Sequence, residues 1–164
     1  MLEFNDIQHI LLTRTPALTG QYVFLSFRDA KAGKAWLSAV IDKVASAADV
    51  DVKRDTRWIS VAFTWNGLRA LGVDETSLAT FPEEFRDGMA ARAEVIGDTG
   101  QNSPKNWVGG LASPKLHAIA ILFARDEKER GRCNSEHAKL LKTLDGVESV
   151  VELDTLIPVP RAAS

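Results

Sequence analysis

Two short segments, residues 21–27 (QYVFLSF) and 116–124 (LHAIAILFA), are apolar at odd and even positions alike. Side chains along a strand point alternately to its two faces, so strands of this kind need cover on both sides. That demand constrains the fold more than any other feature of the chain. It predicts two central strands, the first opened by Gly20.

The segments around them complete a pattern. Residues 29–47 carry Trp36, Leu37, Val40, Ile41 and Val44 at helical spacing, with Asp29 placed to cap the first turn. Residues 57–64 alternate, with Ile59, Val61 and Phe63 on one face and Ser60, Ala62 and Thr64 on the other, which predicts a half-buried strand. Asn66-Gly67 permits a hairpin turn, but Leu68, Leu71 and a terminating Gly72 suit a short helix better. Residues 83–95 read as helix, with Phe85, Met89, Arg92 and Val95 on one side. Residues 97–114 hold four glycines and two prolines and read as a long loop, the kind that is usually functional or interfacial. A charged helix over 126–144 follows the third strand, carrying Cys133, His137, Leu140, Leu141 and Leu144 on one stripe. Asp145-Gly146 stops it, 147–153 reads as the last strand, and 157–164 as an extended tail. Two strand–helix–strand units predict an α+β ferredoxin-like split βαβ sheet with both helices on one face. The expectation is one domain over 1–156, with an insertion at about 66–115 between the second and third strands.

Two helices on one face leave the other face of those apolar strands to be covered by the insertion, a second domain or a second subunit. The 164 residues suit a single core, and 45% hydrophobic with 26% charged residues is ordinary for a soluble protein. A net charge of −2 gives no footprint for nucleic acid or an anionic membrane surface. The longest apolar run, 118–124, is far below the ~20 residues of a membrane span. Acids near the N-terminus (Glu3, Asp6) stand where a signal peptide carries a basic region, and the one cysteine forms no internal disulfide. The expectation is a cytoplasmic protein.

Candidate chemistry is sparse. His9, His117 and His137 have no second His or Cys at metal-ligand spacing, and no metal site is expected. A haem iron needs only one histidine, so none of the three is marked out or excluded. Cys133 lies four residues before His137, a spacing that could pair a thiol with a base; without an orienting third group it reads as a small core residue. Gly97-Asp98-Thr99-Gly100 lacks the Lys and Ser/Thr of a phosphate loop and reads as a turn. Glu83-Glu84 and Asp126-Glu127 sit in first turns of predicted helices, where acids complement the dipole. Trp107, alone among four tryptophans in lying in the glycine-rich loop, is a candidate for packing on a ligand or a second domain.

Several blocks, in order, resemble the dye-decolorising (DyP-type) haem peroxidases. They are Asp6-Ile7-Gln8, the stretch GQYVFLSFRDAKAG (20–33), the stretch SVAFTWNGL (60–68) with Leu71-Gly72, Phe81-Pro82-Glu83-Glu84-Phe85, Gly97-Asp98-Thr99-Gly100, Trp107 with Gly109-Gly110, and His117-Ala118. The resemblance covers nearly the whole chain but only the N-terminal half of the family, whose members resemble two ferredoxin-like domains in tandem. It implies haem held mainly by the second domain, together with the family's G-x-x-D-G signature, an arginine and the proximal histidine, all beyond Ser164.

Phe85-Arg86-Asp87-Gly88 imitates that signature, but Glu84 stands where its first glycine belongs, so Asp87 is not assigned the peroxidase role. The resemblance therefore implies a peroxidase-family domain without its haem-ligand half, inactive alone, with a structural or oligomerising role. No catalytic residue is assigned, and no haem-binding residue is identified. The expected partner is a second copy or a C-terminal haem domain. Two alternatives stay open. One is a stand-alone dimeric α/β-barrel binding module; the other is a small monooxygenase-like enzyme with His117, Trp65 or Asn66 lining a cavity beneath the sheet.

Overall fold

In the computed structural model, which describes residues 3–12, 19–51 and 53–155, the apolar segments become one four-stranded antiparallel sheet. Its strands are β1 (Thr19–Phe27), β2 (Arg57–Phe63), β3 (Ala118–Ala124) and β4 (Val147–Asp154), in the order β2-β3-β1-β4. Helix α1 (Ala30–Val40) carries the chain from β1 to β2, skipping over β3, and a second long helix, Glu127–Thr143, carries it from β3 to β4, skipping over β1. This is the split βαβ arrangement of a ferredoxin-like α+β fold. The two strands that are apolar on both faces, β1 and β3, are the central pair.

Register decides which residues share a face. Val23 pairs with Ala120 and Leu25 with Ala118, and on the side covered by the helices these four, with Phe27 and Leu122, join Trp36, Val40, Cys133 and Val147 in one core. Trp36 and Leu25 are fully enclosed, at 0% exposure each. On the opposite side, Tyr22 pairs with Ile121 and Phe24 with Ile119, and all four remain half-buried.

Asp29 caps α1 as its position predicts, accepting from the Ala32 N–H at 2.9 Å. The helix ends at Val40 rather than running to residue 47; a 3-10 turn over Ile41–Lys43 follows. The reason lies at the free edge of β2. Val44 bridges to Ile59, and the Ala45 N–H donates to the Ile59 carbonyl at 3.1 Å, so leaving the helix supplies partners to an otherwise open edge. Gln8 extends the seal: its side-chain amide donates to the Val61 carbonyl and accepts from the Val61 N–H, both at 2.9 Å. A side chain thus does the work of a strand residue.

The insertion opens with α2 (Trp65–Ala70), the helix alternative to a hairpin at Asn66-Gly67. Thr64 accepts from the Gly67 N–H and donates to the Leu116 carbonyl at 2.6 Å. A side chain at Gly67 would overlap the His117 carbonyl, so only glycine allows α2 to start this close to β3. Then come α3 (Glu75–Ala79), α4 (Glu83–Ala91) and α5 (Ala93–Ile96), followed by 3-10 turns Gly100–Asn102, Pro104–Asn106 and Val108–Gly110. The single helix expected over 83–95 is broken twice. Gly88 takes φ +73°, ψ 171° inside α4, a conformation foreign to a helix, and Arg92 separates α4 from α5. The helix after β3 is α6 (Glu127–Thr143), capped by Asp126, which accepts from the Glu129 N–H at 2.9 Å. The expected tail at 157–164 lies outside the described residues.

Candidate functional site

A cavity of about 520 Å³ opens where the C-terminal end of β2 meets the insertion. Thr64 fixes its floor by tying the β2–α2 turn to the start of β3, which aims Trp65 and Asn66 at the interior. The kinked α4 supplies one wall, from Glu84 to Ala91, because the break at Gly88 lets both halves of the segment face the same space. The long loop supplies the opposite wall through Trp107, whose indole N–H is held by the Asn102 carbonyl at 2.9 Å. Four rings, Phe63, Trp65, Phe85 and Trp107, line the space.

Two sequence candidates, Trp65 and Asn66, therefore line one cavity together with Trp107, but His117 does not join them. Its Nδ1 accepts from the Phe27 backbone N–H at 2.9 Å, and its backbone N–H donates to the Leu25 carbonyl, so the residue closes the β1–β3 ladder. Burial lowers its pKa from the ordinary histidine value, in keeping with a neutral ring that must accept a hydrogen bond. His137 is likewise committed: its Nε2 accepts from the Trp36 indole at 3.3 Å inside the core, and burial lowers its pKa. His9 sits in a 3-10 turn, 3% exposed, with Nε2 lacking a partner. Cys133 is a free, buried thiol beside His137, and burial pushes its pKa up, away from the thiolate a nucleophile needs. Asp87 lies exposed on the cavity wall. Gly97 forms the left-handed stop of α5 at φ +85°. No group of three or more His, Cys, Asp or Glu among the described residues could hold a metal ion.

The cavity walls Phe63, Phe85 and Leu111 escaped sequence reasoning. They come from β2, α4 and the loop before β3, and no local sequence pattern marks residues so far apart in the chain as neighbours.

The sheet face turned away from the helices is only partly covered. The insertion covers part of it: Gly109, at φ +64°, lies so close to Val151 that an added Cβ would come within 2.6 Å. The rows of Tyr22, Ile121 and Phe24, Ile119 stay half-exposed.

Residues 6–156 match the family model described as the DyP dimeric alpha+beta barrel domain. This chain belongs to that family. Solved dye-decolorising peroxidases share the fold of this DyP domain. One DyP crystal structure is 19% identical, with 94% of this chain and 33% of that one covered at a TM-score of 0.78. The enzyme from Auricularia auricula-judae is 21% identical, covering 98% of this chain and 35% of its own at 0.80. A DyP in complex with 2,6-dimethoxyphenol is 22% identical, covering 94% and 34% at 0.73. The chain thus spans about a third of the length of these structures, and at such identities the likeness establishes the fold. No curated protein matches the chain.

DyP-type peroxidases are haem enzymes, which poses a test for the residues of this DyP domain. Haem iron takes an imidazole, thiolate, thioether or phenolate ligand. The 520 Å³ cavity is lined by none of the three histidines nor by Cys133 or Tyr22, and its one sulfur donor, Met89, is 63% exposed. His117 and His137 already use a ring nitrogen within the fold. The residues lining this cavity do not fit a haem-iron site.

Within the described residues, no helix is long and apolar enough to cross a membrane.

Proposed function

We propose that this chain is a structural half of a DyP-type peroxidase, a single ferredoxin-like unit over 1–156 whose open sheet face packs on a second α+β unit. Haem and peroxide chemistry belong to the second unit when that unit is the haem-bearing domain of the family. The observation that carries this reading is the row of half-buried apolar side chains on the open face, Tyr22, Phe24, Ile119 and Ile121, at the centre of the sheet. Contiguous apolar surface of this kind marks an interaction face. The family description of the domain as a dimeric barrel supports sheet-to-sheet closure. A single free, buried cysteine suits a reducing cytoplasm, the compartment we assign.

Two measurements test the reading. Sedimentation velocity across micromolar concentrations is expected to show self-association that Ile121→Glu abolishes while leaving the circular dichroism unchanged. A hemin titration followed in the visible is expected to give no saturable Soret band. A wild-type monomer at every concentration removes the support for sheet pairing. A stoichiometric band lost on replacing His9, His117 or His137 by Ala overturns the structural role.

A further inference from the structure

We propose that the cavity between α2, α4 and the loop around Trp107 binds a small organic cation, a substituted ammonium. Four aromatic side chains, Phe63, Trp65, Phe85 and Trp107, are among its lining, and an aromatic ring carries the negative end of its quadrupole on its faces. Its charged lining is Glu84, Arg86 and Asp87, two acids against one base, for a net charge of −1. None of the three forms an ion pair among the described residues, so both carboxylates are available. The cavity volume, about 520 Å³, lies within the roughly 300–1,000 Å³ range of small-molecule sites. Rings and net charge select in the same direction. An anion meets repulsion from both, a neutral apolar molecule gains nothing from the carboxylates, and a cation gains from each.

Trp65 shows the preference inside the protein itself: the Arg69 guanidinium, which is not part of the lining, stands 4.9 Å from its ring centroid. Glu84 and Asp87, three residues apart on the first half of α4, share a helix face and both line the space. This proposal stands apart from the sheet pairing, since none of its residues belongs to the open sheet face.

Trp65 and Trp107 are built-in reporters. The full chain is titrated with choline and, separately, with 3,3-dimethyl-1-butanol, which has the same shape without the charge, and indole fluorescence is followed. Choline is expected to give a saturable change, with the neutral alcohol at least about tenfold weaker. Asp87→Asn and Glu84→Gln, both exposed and checked for folding by circular dichroism, are each expected to weaken choline several-fold. Equal binding of choline and the alcohol overturns the proposal, as does the absence of a saturable change with choline. Unchanged choline affinity in both carboxamide variants overturns it as well. None of these results depends on the oligomeric state, so the sheet-pairing reading is judged separately.

Discussion

The two faces of the central strands are built from alternate residues of the same segments, yet they end differently. Val23, Leu25 and Leu122 are 2%, 0% and 1% exposed, whereas their neighbours Tyr22, Phe24 and Ile121 stay half-exposed. Hydrophobicity does not separate the two sets; local chain supply does. Helices α1 and α6 return over one face because each is a crossover between strands of the sheet, and that geometry provides nothing for the other. The insertion reaches the far face at Gly109 over Val151, and this contact covers one edge region only.

Paired truncations break the comparison most sharply. Leu25→Ala, on the helix face, is expected to cost about 2–5 kcal/mol of unfolding free energy, because an enclosed site cannot collapse around the lost volume. Ile121→Ala, on the open face, is expected to cost about 1 kcal/mol or less in the dissociated chain, since solvent fills the space. Urea unfolding at a protein concentration low enough to keep the chain monomeric measures both. Equal costs on the two faces mean that the open face is already covered within one copy.

A smaller effect comes from acid. Burial on the helix side lowers the pKa of His137, and that of His117 at the strand end, below the ordinary value of 6.5. The unfolded chain therefore takes up protons first as pH falls. The stability from both neutral rings is full above about pH 6.5 and is lost progressively below it. Thermal melts from pH 7.5 to 5 are expected to show this decline. It is expected to be shallower in His117→Asn, whose side-chain oxygen can still accept from the Phe27 N–H; a flat profile in the wild type contradicts the assignment. A further small effect is at the α1 cap, where Asp29→Ala is expected to lower the melting temperature slightly by removing the acceptor for the Ala32 N–H.

The strands, and which two of them need cover on both faces, were legible in the sequence because period and composition act locally. The burial of Cys133 and His137 followed from their shared stripe for the same reason. The end of α1 was not legible. Val44 continues the helical stripe, and only the edge of β2, distant in sequence, offers its backbone a better partner. The break in α4 was hidden in a similar way, since Phe85 and Met89 keep helical spacing across a glycine whose φ no pattern reveals. The cavity was half legible. Trp65, Asn66 and Trp107 stood out, but His117 is drawn out of it by a backbone N–H, and the remaining walls meet only through tertiary structure.

Gln8 has a consequence for the order in which the edges of the sheet are settled during synthesis. Chains emerge N-terminus first, so the amide that seals Val61 is already available when β2 leaves the ribosome. That edge never has to wait for a partner. The β1 edge is different: β4 is the last strand made, and until it arrives an apolar strand stands with unpaired backbone. Nascent chains arrested between α6 and β4 are therefore the ones a chaperone would be expected to hold, and the ones most prone to pair with each other.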